Sequence, residues 1–407
     1  MGYFQDVSSD DEDENLEIEM PDEALEEVLE SCNKIGSICL PPQFEAFKRP
    51  PVPDNVDTAA EGLYVMNVDV QYDTTHDIRK RLHPEQQCAP RVLIYGVTPN
   101  QNSALLIVHG FYPYCYFQPS EEIEKSIRDQ SQWALTGERH LEVIRDSLDR
   151  QLRVPGGGAE VLQVTVRWAK SIDGYSENNR PFLKVVFANP GNVSKLRNMS
   201  EPGPNGEMPQ VDFLGPSFES NIPFVSRYMI DTGMGGAMWV HVPSGKGRLR
   251  TGSKCSHTQI EMDVMADEIE NPSLKQKGEV GATRAIYFDI EMAPEKADTF
   301  PNPEKAGDQI NAIACNLISL PSYAIQKRVI LVLDKCAPTP DKKSMVLSFP
   351  TEADLLIHFA LLVRVYDPDW LFGYNSINFD MKAILTRMRR LGLERIPGLG
   401  FNPLELG

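Results

Sequence analysis

No stretch of the 407-residue chain approaches the ~18 apolar residues that a membrane span requires. Basic residues are missing from the first 31 positions, the opposite of a secretory leader's start, so the sequence reads as an intracellular protein. Met1-Gly2 opens like a myristoylation signal, but Asp6 stands where Ser or Thr is needed. Paired cysteines are absent too. Cys32, Cys39, Cys88, Cys115, Cys255, Cys315 and Cys336 are scattered, and none forms a C-x-x-C pair. Neither a zinc site nor a disulfide framework is supported, and reduced thiols are expected. The sequons at Asn192 and Asn198 then read as chance matches. Gly247 and Gly252 have the spacing of a phosphate loop, yet Ser253-Lys254 reverses the order that the loop's lysine needs. That excludes a P-loop NTPase.

What is present is uneven charge. The net charge is −18, and residues 1–31 hold 13 acidic side chains, which leaves −5 on the rest. A block of this composition buries too little apolar surface to offset its ordering entropy, so an acidic, disordered tail is expected over 1–31. Ser8 and Ser9, ahead of Asp10–Asp13, lie in a context that acid-directed kinases favour, and 22–31 has room for a short acidic helix that a partner would read. The low overall charge balance therefore does not argue against nucleic-acid binding by the body.

A Pro-rich linker follows over 32–59, with Pro41, Pro42, Pro50, Pro51 and Pro53. From 60 to 281 the pattern is a β-rich α+β body. Strands are expected at 65–70, 91–98, 104–109, 114–117, 160–168 and 182–188, with a turn at 98–102. Helices are expected at 120–131, 139–152 and 191–199, and Pro155 with three glycines ends the second. Lys246, Arg248 and Arg250 stand two apart, which on a strand puts all three on one face. Two readings fit them: a track for phosphates, or a solvated edge strand protected by charge. His109, His241 and His257 have no ligand spacing around them, and Trp239 and Trp370 read as core.

The carboxylates carry the chemistry. Residues 285–291 read Ala-Ile-Tyr-Phe-Asp-Ile-Glu, an apolar strand that carries Asp289 and Glu291. Two residues apart on a strand, their side chains share one face, with Cα atoms about 7 Å apart. Such a pair can hold two divalent metals ~3.5–4 Å apart, and an apolar strand has little other reason to carry it. Strands at 310–320 and 329–333 and a helix at 352–365 follow, then Trp370–Gly373 as a second buried strand. A helix opens after Tyr374-Asn375-Ser376-Ile377-Asn378-Phe379-Asp380. Asp380 either favours that helix's N-terminus electrostatically or completes a metal cluster as its third carboxylate.

Tyr287–Glu291 resembles the first exonuclease motif of B-family DNA polymerases, and Gly373–Asp380 the second. Phe218–Phe224 followed by Arg227–Asp231, the order around Arg248–Arg250, and Val92–Tyr116 with His109-Gly110-Phe111 are similar to the delta-type catalytic subunit. The resemblance spans about 60–395. It implies an N-terminal domain with nucleic-acid-binding-like modules over 60–281, and a ribonuclease-H-like 3′–5′ exonuclease domain over 282–407. It implies that Asp289 and Glu291 ligate metal, Glu291 helping to orient the attacking water, and that Asp380 holds the second ion through water. Asn375 and Asn378 would shape the substrate-side loop, with Tyr374 beside them, and Phe379 would pack near the terminal nucleotide. Two Mg²⁺, or Mn²⁺ as substitute, are the implied cofactors. DNA, as primer-template and frayed 3′ strand, is the implied substrate, with accessory subunits, a sliding clamp and a nuclear or virus-encoded setting.

The family's fourth carboxylate, on a later helix, and its palm, fingers and thumb are not among these residues. The chain is therefore expected to be a fragment or truncated product without polymerase activity and with little or no nuclease activity. A free-standing four-carboxylate exonuclease and a non-catalytic nucleic-acid-binding fragment are the rival readings.

Overall fold

The computed structural model describes residues 41–393, apart from 57–59, 75–89, 155–156, 172–176, 203–207, 253, 273–279, 338 and 341–342. The acidic tail, and residues 32–40 and 57–59 of the expected linker, lie outside the described residues.

Three strands open the body: β1 (Leu63–Asp73), β2 (Arg91–Val97) and β3 (Ser103–His109). They are antiparallel neighbours, and the β2–β3 turn is closed where Asn102 N–H donates to Thr98 Oγ1 at 3.1 Å. Their sheet is not finished there. The chain leaves to build a second unit from β4 (Tyr114–Pro119), helices α1 (Glu121–Arg128) and α2 (Gln130–Leu152), β5 (Val161–Ala169), β6 (Arg180–Phe187), α3 (Gly191–Ser200) and β7 (Leu214–Phe218). These four strands form their own sheet in the order β5-β6-β4-β7, a split β-α-β pattern. Apolar residues of α1, α2 and α3 (Ile127, Leu148, Leu196) pack with Cys115, Phe117, Leu183 and Val185 of the strands. The sequence reading of 60–281 as one continuous body did not foresee this nesting, because periodicity marks elements and not which strands pair.

After helix α4 (Phe224–Thr232), strands β8 (Trp239–Val242), β9 (Arg248–Leu249) and β10 (Ile260–Met265) return to the first sheet, giving the order β8-β1-β2-β3-β10-β9.

The third sheet has the order β14-β13-β12-β11-β15. Its strands are β11 (Thr283–Ala293), β12 (Gln309–Leu320), β13 (Ala324–Leu333), β14 (Met345–Phe349) and β15 (Trp370–Phe372); helix α5 (Glu352–Tyr366) precedes β15, and α6 (Asp380–Arg390) follows it. Strand β11 is antiparallel to β12 and parallel to β15. Ile286, Phe288 and Ile290 of β11 enter one core with Leu355, Phe359, Leu362 and Tyr366 of α5 and Ala383, Ile384 and Met388 of α6. A mixed α+β molecule results, as the sequence implied.

Several expectations need correction. Helix α2 starts at Gln130 rather than 139, β13 begins at Ala324, and β14 was not foreseen. Trp370 and Phe372 are exposed, at 37% and 39%, so β15 is an exposed sheet edge and not a buried strand, and Trp370 is not core. Trp239 is buried as expected.

Candidate active site

Along β11 the burial alternates: Phe288 and Ile290 are interior, while Tyr287, Asp289 and Glu291 are exposed on the opposite face. That is the period-two geometry of a strand with one face against a core. Asp289 and Glu291 therefore share a solvent-facing surface of β11, which lies between β12 and the edge strand β15.

Two later residues grip β11 from the other motif. Asp380, 2% exposed, is the first residue of α6, and its Oδ1 accepts the N–H of Ile290 at 3.3 Å. Ile290 lies between the two exposed carboxylates, so Asp380 is pinned to the strand at that point. Burial holds the Asp380 carboxyl above its ordinary range; the Ile290 and Asp380 N–H groups oppose the shift and the Asp289 charge adds to it. Gly373 approaches β11 on the other side of Asp289. A Cβ there would stand 2.8 Å from the Phe288 carbonyl oxygen and 2.6 Å from Ser376 Cβ, so the close crossing needs glycine.

Between these contacts the loop folds on itself. Asn375 takes a left-handed φ of 54°, a conformation asparagine tolerates better than most residues. Its carbonyl accepts the N–H of Asn378 at 3.2 Å and of Phe379 at 3.1 Å, and the Asn378 amide donates to Asn375 Oδ1 at 3.1 Å. Tyr374 and Ile377 are left almost wholly exposed. Phe379 packs partly into the core, and its ring meets that of Phe300 edge-on at 5.8 Å.

Phe300 escaped the sequence reading. It projects from the 294–308 loop joining β11 to β12, and nothing in its neighbours gave it a period. Asp308, Glu352 and Arg387 were missed as well. Asp308 accepts the N–H groups of Glu295 and Asn302, which hold its carboxyl below the usual range. The seven-residue spacing from Asp380 to Arg387, two turns on one helix face, was the available signal.

Lys246, Arg248 and Arg250 do not form one open cationic row. Only Arg248 and Leu249 are strand, at the sheet edge. Lys246 lies 3.6 Å from Glu268, and the Arg250 guanidinium donates twice to Asp263, each bond 2.8 Å. Asp263 also contacts His109 Nε2 at 2.8 Å, so Arg250 belongs to a buried polar cluster.

Asp289, Glu291 and Asp380 offer only oxygen donors, which suit magnesium or manganese rather than zinc. Burial is the main reason the Asp380 carboxyl is raised, and a cation beside Asp289 would offset the smaller contribution of that charge; the all-oxygen donor set fits a divalent ion. Among the described residues, no group of three or more His, Cys, Asp or Glu is close enough to hold a metal by itself. Asp289 and Glu291 lie on β11 and Asp380 is anchored to it from α6, without the three closing into a complete ligand set.

Two family models match the chain. The family described as DNA polymerase family B, exonuclease domain, matches residues 215–404, and the DNA polymerase delta catalytic subunit-like N-terminal domain matches 110–194. The DNA polymerase delta catalytic subunit of Mesocricetus auratus is 30% identical over 420 residues, covering 96% of this chain and 36% of that protein. That of Arabidopsis thaliana is 28% identical over 366 residues, covering 87% and 31%. The chain thus spans about a third of the length of these relatives. A solved family B DNA polymerase from the archaeon Pyrobaculum calidifontis shares the fold, with a TM-score of 0.50, 20% identity, and coverage of 82% of this chain and 33% of that one.

Proposed function

This chain belongs to the family B DNA polymerases, and from that premise we propose that it is part of a delta-type replicative DNA-directed DNA polymerase whose Asp289, Glu291 and Asp380 serve 3′–5′ proofreading. The observation that carries the reading is the bond from Ile290 N–H to Asp380 Oδ1, which joins the two motifs and brings the third carboxylate to the strand of the other two. The substrate is the 3′ end of a DNA strand, frayed from its template. The domain division at residue 282, a nuclear setting, and clamp and accessory-subunit partners belong to the same proposal.

Asp289, Glu291 and Asp380 are the residues that would hold divalent magnesium. When bound, the ions supply an activated water and stabilise the leaving 3′ oxygen. The chain's own residues do the rest. Asp289 and Glu291 face solvent and are open to substrate phosphate and ion together. Asp380, anchored by a backbone N–H, keeps α6 and the Asn375–Phe379 loop at a fixed position against β11. Phe379 and Phe300 wall the adjoining surface with aromatic rings, on which a terminal base can stack.

Single-stranded DNA carrying 2-aminopurine at its 3′ terminus, in Ca²⁺ to suppress turnover, tests this. The unaltered chain is expected to quench the 3′-terminal probe and not a 5′-terminal one, and Asp289→Ala to remove the preference. Equal response at both ends, or no effect of the substitution, would overturn the reading.

A further inference from the structure

We propose that Arg387 is a positioning residue for this site: held by Glu352, it clips the 294–308 loop to helix α6 and so fixes the loop beside the carboxylate face. The inference rests on the exonuclease reading and deepens it.

Arg387 is 1% exposed and sits two turns after Asp380 on the same buried face of α6. Every nitrogen of its guanidinium donates. Nε and Nη2 form a fork onto Glu352 Oε1 and Oε2 at 2.8 and 2.5 Å. Nη1 donates to the carbonyls of Lys305 at 2.6 Å and Pro303 at 3.2 Å, and Nη2 to that of Ala306 at 3.2 Å. Glu352 in turn accepts the N–H of Ile310 at 2.9 Å, at the start of β12. One ion pair thus ties α5, α6, the loop and β12 together.

Stability alone is a poor reason for this arrangement, since apolar side chains fill a buried site at no desolvation cost. What apolar residues cannot supply is a planar set of donors for the Pro303, Lys305 and Ala306 carbonyls. Those carbonyls belong to the loop that leaves β11 after Ala293, two residues beyond Glu291. The neck of the loop is closed independently by Asp308, which accepts from Glu295 N at 2.8 Å and Asn302 N at 2.7 Å. Its far side carries Phe300, 78% exposed, whose ring rests on Phe379 next to Asp380. Arg387 therefore stands at one end of a chain of contacts, and the aromatic wall of the site at the other.

The test compares unaltered protein with Arg387→Met and Arg387→Lys by hydrogen exchange of 294–308 and by affinity for DNA with a 3′-terminal 2-aminopurine in Ca²⁺. Both variants should exchange faster in the loop, and Arg387→Met should bind the 3′ end about tenfold more weakly. Arg387→Lys, which keeps the charge for Glu352 but cannot reach three carbonyls at once, should fall between, and it decides the matter if Arg387→Met does not fold. A merely structural arginine would lower the melting temperature and leave the terminal quench of folded molecules unchanged. Faster loop exchange with unchanged 3′-end affinity, or no change in either, overturns the positioning role and leaves the exonuclease reading standing. Failure of the unaltered chain to prefer the 3′ end overturns that reading itself.

Discussion

At Gly373 the loop after β15 crosses β11 with no room for a methyl group. Gly373→Ala must move either the loop or the Phe288 carbonyl, so a loss of about 1–3 kcal/mol is expected in urea unfolding. Asn375→Gly should leave stability nearly unchanged, since both residues accept the positive φ. Asp369 gives the residue scale a pH dependence. Burial pushes its carboxyl up to about 6, against the pull of Arg49 and of the Arg284 N–H. A raised carboxyl keeps its proton in the folded state after the unfolded chain has released it. Its contribution to stability therefore falls as pH rises from about 4 to about 6, by up to about 3 kcal/mol. Asp308, held low, acts oppositely and only below the ordinary carboxylate range. Asp369→Asn should flatten the fall between pH 4.5 and 6.5, measured by urea unfolding at each pH; an unaltered slope would remove Asp369 as its source.

Among the elements, β11 was the most legible, because an apolar strand with one face on a core must alternate, and Asp289 and Glu291 break the apolar run in that rhythm. Helix α5 was equally readable from its spacing, and Thr351 caps it by accepting the Asp354 N–H at 3.1 Å. Truncation of Phe359, which is fully buried and packs on Phe288, should cost about 3–5 kcal/mol, read from the denaturation midpoint. Strand β15 was misjudged for a physical reason. Trp370, Leu371 and Phe372 form an apolar run that looks interior, yet only Leu371 packs partly on the core. Hydrophobicity cannot tell a central strand from the edge of a sheet. Loop residues were the least legible: Phe300 and the carbonyls that Arg387 reaches meet their partners about 80 residues away, which no local pattern records.

For the whole molecule, Arg49 joins the sheets. It donates to Asp367 Oδ2 and Asp369 Oδ1, both at 2.6 Å, and to the Gln101 carbonyl at 2.9 Å, while Ser103 Oγ donates to Asp367 Oδ2 at 2.6 Å. The residue comes from the segment expected to be a linker, and it binds the β2–β3 turn to the end of α5. Arg49→Met leaves two carboxylates without their cation in a dry site, so about 3–5 kcal/mol should be lost. Unfolding of the exonuclease sheet should also separate from that of the first sheet in a calorimetric scan. The order of the two exonuclease motifs was plain in the sequence, and their meeting at Ile290 was not.

In the reading proposed, Asp289, Glu291 and Asp380 act together on divalent metal. Titration of the chain with Mn²⁺ by calorimetry, beside its Asp289→Ala variant, tests it most directly. Saturable binding that the substitution abolishes is the predicted result; identical heats from both proteins would contradict it.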